Sequence, residues 1–291
     1  MATAKKAAPS AEITIMEVVR GRMDFCILGT SPLIMHRMSE KAWHELLAPK
    51  GRKNEAEKAA NLKHDPIREF RDSPYLVSDS NAPALLALLA TAFKGAMGTA
   101  ALDMPGANKT QIGRLVYVSG DLLPVFGIPK VFMAITRSAD MNKTPDVRTR
   151  AIVPEWACRL SIEFTKPILR EQSIANLLSA AGFQSGVGDW RQGKGSGSYG
   201  SFKLVSADDP DFVRICKTQG RAAQQDALDH PIAYNDETSE MLAWFDSEVK
   251  QRGFSPTSAA VKPARVTKTP KVPAAVHAAS KGNGHDKGVQ Q

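Results

Sequence analysis

The chain is poor in cysteine, in aromatic residues and in long apolar runs. Its 291 residues hold three cysteines, Cys26, Cys158 and Cys216, odd in number and far apart in sequence. That argues against a disulfide framework and against a zinc site built on clustered ligands. It fits a reducing compartment, so a cytoplasmic protein is expected. No apolar run approaches the ~18 residues of a membrane helix, and the longest, Ala82 to Ala92, is about half that. The opening MATAKKAAPSAE has lysines but no apolar segment behind them, so it is not expected to be a signal peptide. No metal, cofactor or membrane partner is expected. With 43% hydrophobic and 23% charged residues the chain is neither disordered throughout nor collagen-like. Its length predicts one or two domains.

Acidic residues are scarce in one place. The net charge is +8, and residues 250–291 hold eight lysines and arginines against Asp286 alone, which leaves the rest of the chain nearly neutral. Such a tail favours polyanions, nucleic acid above all, through counterion release. The plainer alternative is a solubilising tail.

Composition divides the chain into a lead (1–19), a core (20–206), a helical extension (207–253) and a Pro/Ala/Lys/Thr-rich tail (254–291) expected to be disordered. Within the core, Met23–Leu28 reads as a strand. Ser39–Leu47 reads as a helix capped by Ser39, Arg52–Leu62 as an exposed helix, and Asp65-Pro66 as the start of a helical turn. Ala82–Ala101 reads as one strong helix, with Asn81 as cap and Leu85, Leu88, Leu89, Ala92, Phe93 and Ala96 on one face. Leu115–Val118, Val131–Thr136, Cys158–Phe164 and Tyr199–Val205 read as strands. Leu169–Ala181 reads as a second strong helix stopped by Gly182. The order, strand–helical insert–helix–strand–strand–helix–strand, predicts an α+β, ferredoxin-like (RRM-like) antiparallel sheet with helices on one face. Insertions are placed at 39–72 and 137–150. Trp156 and Trp244 read as core residues, and Trp43 as a candidate for the core.

Gly182 to Gly200 carries seven glycines together with Trp190, Arg191, Lys194 and Tyr199. Glycines permit positive φ and close backbone approach, and turns of this kind gather N–H groups into phosphate-binding concavities. Arg191 and Lys194 add charge, and Trp190 and Tyr199 add faces for bases to stack on. Together they suit a single-stranded nucleic acid; the alternative is a flexible hairpin. Gly188-x-x-x-x-Gly193-Lys194 nearly matches a P-loop, but Gly195 stands where Ser or Thr should hold magnesium, and a strand follows where a helix should.

The spacing Gly186-x-Gly188-x-x-Arg191-x-Gly193-x-Gly195-x-Gly197, between a final helix and a final strand, resembles the glycine-rich loop of the RAMP superfamily, the repeat-associated RNA-binding proteins of CRISPR effector complexes. Ala92-Phe93-Lys94-Gly95-Ala96-Met97 is similar to the Lys-Gly-Ala helix start of backbone-forming RAMP subunits, and Gly29-Thr-Ser-Pro-Leu33 after the first strand also fits. Met97-Gly98 stands where that helix start usually continues with arginine. The resemblance covers about 20–206. It implies a bound strand near Lys94 and Gly95, and an insertion, here 137–150, that crosses the strand as a thumb, with Met141 as an apolar wedge and Arg137, Lys143, Arg148 and Arg150 as cations. The alternative there is a solvated loop.

The resulting expectation is a non-enzymatic protein that binds single-stranded RNA or DNA through Gly186, Gly188, Trp190, Arg191, Gly193, Lys194, Gly195, Gly197 and Tyr199. Lys94, Gly95, Arg137, Lys143, Arg148 and Arg150 would contact the backbone. It would assemble as a filament or ring along the strand, with other effector subunits as further partners. A phage assembly protein with a nonspecific basic tail is one alternative. A RAMP-type RNA endonuclease using His36 as base is another, although no tyrosine or second histidine lies near His36 in sequence. His44, His64 and His230 read as surface or turn residues, and no pair of carboxylates has a hydrolytic spacing.

Overall fold

The computed structural model describes residues 17–48, 63–137, 145–194 and 197–253. The lead, the expected helix at Arg52–Leu62 and the basic tail lie outside them. In chain order come β1 (Val19–Gly29), β2 (Leu33–Met35), α1 (Glu40–Leu47), α2 (Pro66–Asp72), β3 (Tyr75–Leu76) and β4 (Leu86–Leu89). Then follow α3 (Ala90–Ala100), α4 (Lys109–Leu115), β5 (Val116–Val118), β6 (Leu122–Phe126), β7 (Lys130–Arg137), β8 (Pro145–Val153) and β9 (Ala157–Lys166). The described chain closes with α5 (Glu171–Ala180), β10 (Phe202–Val205), α6 (Pro210–Thr218), α7 (Arg221–Asp229) and α8 (Asp236–Gln251).

The class is α+β with an antiparallel sheet, as expected. The sheet runs β10-β1-β9-β6-β4-β3, with β5 also pairing β9; a smaller sheet runs β2-β8-β7. β1 is paired with β9 from Val19↔Lys166 to Leu28↔Ala157, so the strand is longer than the Met23–Leu28 stretch its alternation marks. On α3, Phe93, Ala96, Met97 and Ala100 recur at the helical spacing and are buried. They share one core with Ile27 and Phe202 from the strands, Trp156 from the turn before β9, and Ile174, Leu177 and Leu178 from α5.

One helix over Ala82–Ala101 is not what forms. Leu86–Leu89 is a strand between β3 and β6, and the helix starts at Ala90. A short apolar run fits a buried strand as well as a helix, and here long-range partners decide. Gln224 on α7 is fully buried, and its Oε1 accepts from Leu85 N (2.7 Å) and Leu86 N (3.1 Å). Its Nε2 donates to the carbonyls of Val125 (2.8 Å) and Gly127 (3.0 Å), so one side chain satisfies both strand ends. β6, which sequence reading missed, completes the pairing.

Asp65 does cap α2, its side chain accepting from Arg68 N. Beside it His64 stands between two carboxylates, Nδ1 at 2.8 Å from Glu69 and Nε2 at 3.0 Å from Asp146 on β8. His64 is therefore a clasp between α2 and the β7–β8 hairpin rather than a plain turn residue. Trp156 is buried as expected, but Trp244 is 65% and Trp43 52% exposed. Trp244 lines an apolar groove with Met241, Met133 and Val147 instead of entering the core.

Candidate nucleic-acid interface

The glycine-rich stretch starts one turn later than its sequence suggests. After α5 the chain continues as a π turn, Ala181–Ser185, and ends at Gly186 with φ 67°. Gly182 is no helix stop; a Cβ there would strike the Phe202 carbonyl, so it is a point of close approach between the turn and β10. From Gly186 the loop lies on β2: Asp189 N donates to Ile34 O (2.9 Å), Gly200 N to Pro32 O (2.8 Å) and Val187 N to Gly200 O (2.9 Å). Gly188, at φ 84°, brings the Ile34 carbonyl to 2.6 Å from where a Cβ would stand.

This corrects two expectations. The amides of Gly186, Val187, Asp189, Lys194, Tyr199 and Gly200 donate to backbone carbonyls, so they do not form an open phosphate nest. Trp190 and Tyr199 are half-buried against Phe132, with ring centroids 5.7 and 6.2 Å away. They stiffen the loop on β2 and β7 rather than stand free. Gly197 packs on the Trp190 carbonyl, and Gly193 lies over Ser185 in the exposed 3-10 turn Gln192–Lys194. Gly195 lies outside the described residues.

What the fold does build is a cleft of about 240 Å³. Gly188, Asp189, Arg191 and Lys194 line it from the loop, and Thr91, Ala92 and Gly95 line it from the first turns of α3. His36 enters from the end of β2, and Tyr75 and Leu89 from the β3–β4 pair. The two stretches that stand out in sequence, 92–97 and 186–200, thus face one another. Arg191 is positioned by a 2.8 Å hydrogen bond from Nη1 to Gly188 O, and Lys194 is exposed. α3, which starts at Ala90, has no side-chain cap and no acidic residue in its first turn; the Ala90 amide donates to the Asp121 carbonyl (2.9 Å), and Thr91 and Ala92 of the same positive helix end line the cleft. Gly95 is exposed, and a Cβ there would meet nothing within 4 Å. Lys94 is half-buried and does not line the cleft.

Of the insertion at 137–150, the described residues, 137 and 145–150, are paired strand. β7 and β8 form a hairpin in register from Lys130↔Ile152 to Arg137↔Pro145. Arg137 ends β7; Met141 and Lys143 lie outside the described residues. Arg148 pairs with Asp146 at 3.1 Å. Arg150 is mostly buried, its Nη1 donates to Thr149 O (3.0 Å), and Asp189 of the glycine loop lies 3.9 Å from its Nε. That Nε has no hydrogen-bond partner among the described residues. Desolvation lowers the Arg150 pKa, and the Asp189 carboxylate opposes the shift.

His36 lies in the field of these groups. Desolvation comes first and Arg150 second in pushing its pKa below 6.5; Arg148 and Lys194 add to this and Asp189 opposes it. It is therefore neutral at pH 7. Tyr75, Thr91 and Asp189 were not singled out in the sequence, and Leu89 was read only as part of an apolar helix face. Nothing local marks Tyr75 or Leu89, because only the β3–β4 pairing brings them to the cleft. Among the described residues no cluster of His, Cys, Asp and Glu is arranged to hold a metal, and no helix is long and apolar enough to cross a membrane.

No family model and no curated protein matches the chain. It is similar to a chain of the cryo-EM structure of the type III-B Cmr-beta bound to cognate target RNA, at 14% identity and TM-score 0.34, covering 64% of this chain and 59% of that one. It is also similar to Cmr6 from Pyrococcus furiosus, at 10% identity and TM-score 0.34, covering 64% of this chain and 98% of that one. The match thus spans about three fifths of the Cmr-beta chain's length.

Proposed function

We propose that this chain binds single-stranded nucleic acid, RNA first, across the cleft between α3 and the glycine-rich loop, as a RAMP-like subunit. One observation carries the reading: Arg191, Lys194, His36 and the first turn of α3 converge on a single cleft, with Arg148 and Arg150 in the hairpin beside it. Cations and an N-terminal dipole pointing into one concave site suit a phosphodiester backbone. The chain order β1-α3-β5-β9-α5-β10 supports a ferredoxin-like unit within 20–206. The stretches 39–72 and 137–150 are then insertions, and 207–253 a helical extension.

One such domain touches few nucleotides, and few phosphate contacts hold weakly at physiological salt. Assembly of copies head-to-tail along the strand, with other subunits where present, makes successive contacts intramolecular. Light scattering with and without an oligomer of ~60 nucleotides, long enough for several sites, is expected to show a large species only with the strand. A monomer in both conditions rejects the assembly.

Filter binding at low salt tests the core reading. Arg191→Ala with Lys194→Ala is expected to weaken RNA binding by at least about tenfold, since each phosphate contact contributes to affinity. No binding by the parent, or unchanged binding by the variant, rejects it. A second reading, metal-independent RNA cleavage, is favoured by His36 and Tyr75 lining one cleft, with His36 neutral at pH 7 and so able to accept a 2′-hydroxyl proton. RNA left intact by the parent, or cleaved equally by His36→Ala, rejects that reading.

A further inference from the structure

We infer that the cleft seats one nucleobase, unstacked from the bound strand, while the adjoining phosphate lies on its rim. The inference rests on the binding role argued above and assigns what occupies the interior. A purely phosphate-binding groove needs cations and donors along its length. This cleft sets His36, Arg191 and Lys194 together with apolar and aromatic lining residues, among them Tyr75, Ala87, Leu89, Ala92 and Val187.

Leu89 gives the sharpest sign. It is the last residue of β4, lies where the sheet turns into α3, and remains 36% exposed while its neighbours Leu86 and Leu88 are buried. A leucine held open to solvent beside a tyrosine ring is an apolar surface shaped for a flat hydrophobic group. Open space above Gly95 keeps the entrance wide on the helix side, since no side chain stands there.

The polar groups match as well. The Asp189 carboxylate and the Thr91 hydroxyl line the same cleft, one an acceptor and the other a donor and acceptor for a base edge. Trp190 and Tyr199, packed against Phe132, are not free to take a base. Stacking expected from those rings thus passes to Tyr75 and Leu89.

The test separates the base from the backbone. Affinities of the full chain are measured for a uridine oligomer and for an abasic oligomer of the same length, which keeps every phosphate. The base-bearing strand is expected to bind at least about tenfold tighter, within what one stacked base contributes. Leu89→Ala, which removes apolar surface from the cleft but no cation, is expected to reduce that preference several-fold. Equal affinity of the parent for both strands overturns the inference while leaving the binding role standing. A preference that persists undiminished in Leu89→Ala also overturns it, because the base then sits elsewhere. Failure to bind either strand defeats both the inference and the reading beneath it.

Discussion

At position 95 a side chain would meet open space, whereas at position 200 it would meet the Val187 carbonyl from a backbone held at φ 71°. Both residues are glycines of the candidate region, yet their roles are opposite. Gly95 sits inside α3, where glycine costs a helix about 1 kcal/mol relative to alanine. Gly95→Ala is therefore expected to raise the melting temperature by roughly 2–4 °C. Gly200→Ala should lower it, because the left-handed backbone alone costs about 1–2 kcal/mol in a residue with a Cβ and the carbonyl must move as well. Thermal unfolding of the two variants checks both signs. At this scale the sequence was half legible. Composition exposed the glycine run, but whether a glycine faces a ligand or a neighbouring carbonyl depends on β2, which lies some 150 residues away by the numbering of Ile34 and Gly188. The same holds for Trp190: its position in the run suggested an open face, and Phe132 covers it.

Among the elements, the hairpin β7–β8 is held to α2 by His64, whose two ring nitrogens face Glu69 and Asp146. Lys63 also reaches Asp146 (2.7 Å), and Arg148 pairs with its other oxygen. The Glu69 hydrogen bond is the largest cause that raises the His64 pKa above 6.5; burial opposes it, and Asp146 adds to it. A raised folded pKa means that the clasp stabilises fully below the unfolded value and fades as pH rises through the folded one. The stability difference between the parent and His64→Ala should thus be largest near pH 6 and shrink by about pH 9. The opposite shift of His36 is present in both proteins and cancels in that difference. Chemical denaturation at the two pH values measures it, and a difference that grows with pH contradicts the clasp. Elements with their own local signals were readable in advance: β9 by alternation, α2 by Asp65 and Pro66, α5 by its apolar face. β4 was not, because Leu86–Leu89 becomes a strand only when β3, β6 and Gln224 supply its partners.

For the whole molecule, charge and cleft assign binding to different places. The basic excess sits in residues 250–291, while the cleft belongs to a nearly neutral body with a local gathering of Arg191, Lys194 and His36. A tail of this kind binds any polyanion; a cleft between two elements binds one strand in one orientation. The most direct test is the salt dependence of RNA binding by the full chain and by its Arg191→Ala, Lys194→Ala variant. Log affinity against log salt falls by about 0.7 per phosphate neutralised on a single strand, so the variant's slope should be shallower by roughly 1.4, with weaker binding at low salt. An unchanged slope and affinity, with binding lost only when residues 254–291 are removed, would contradict the cleft and leave the tail as the reader.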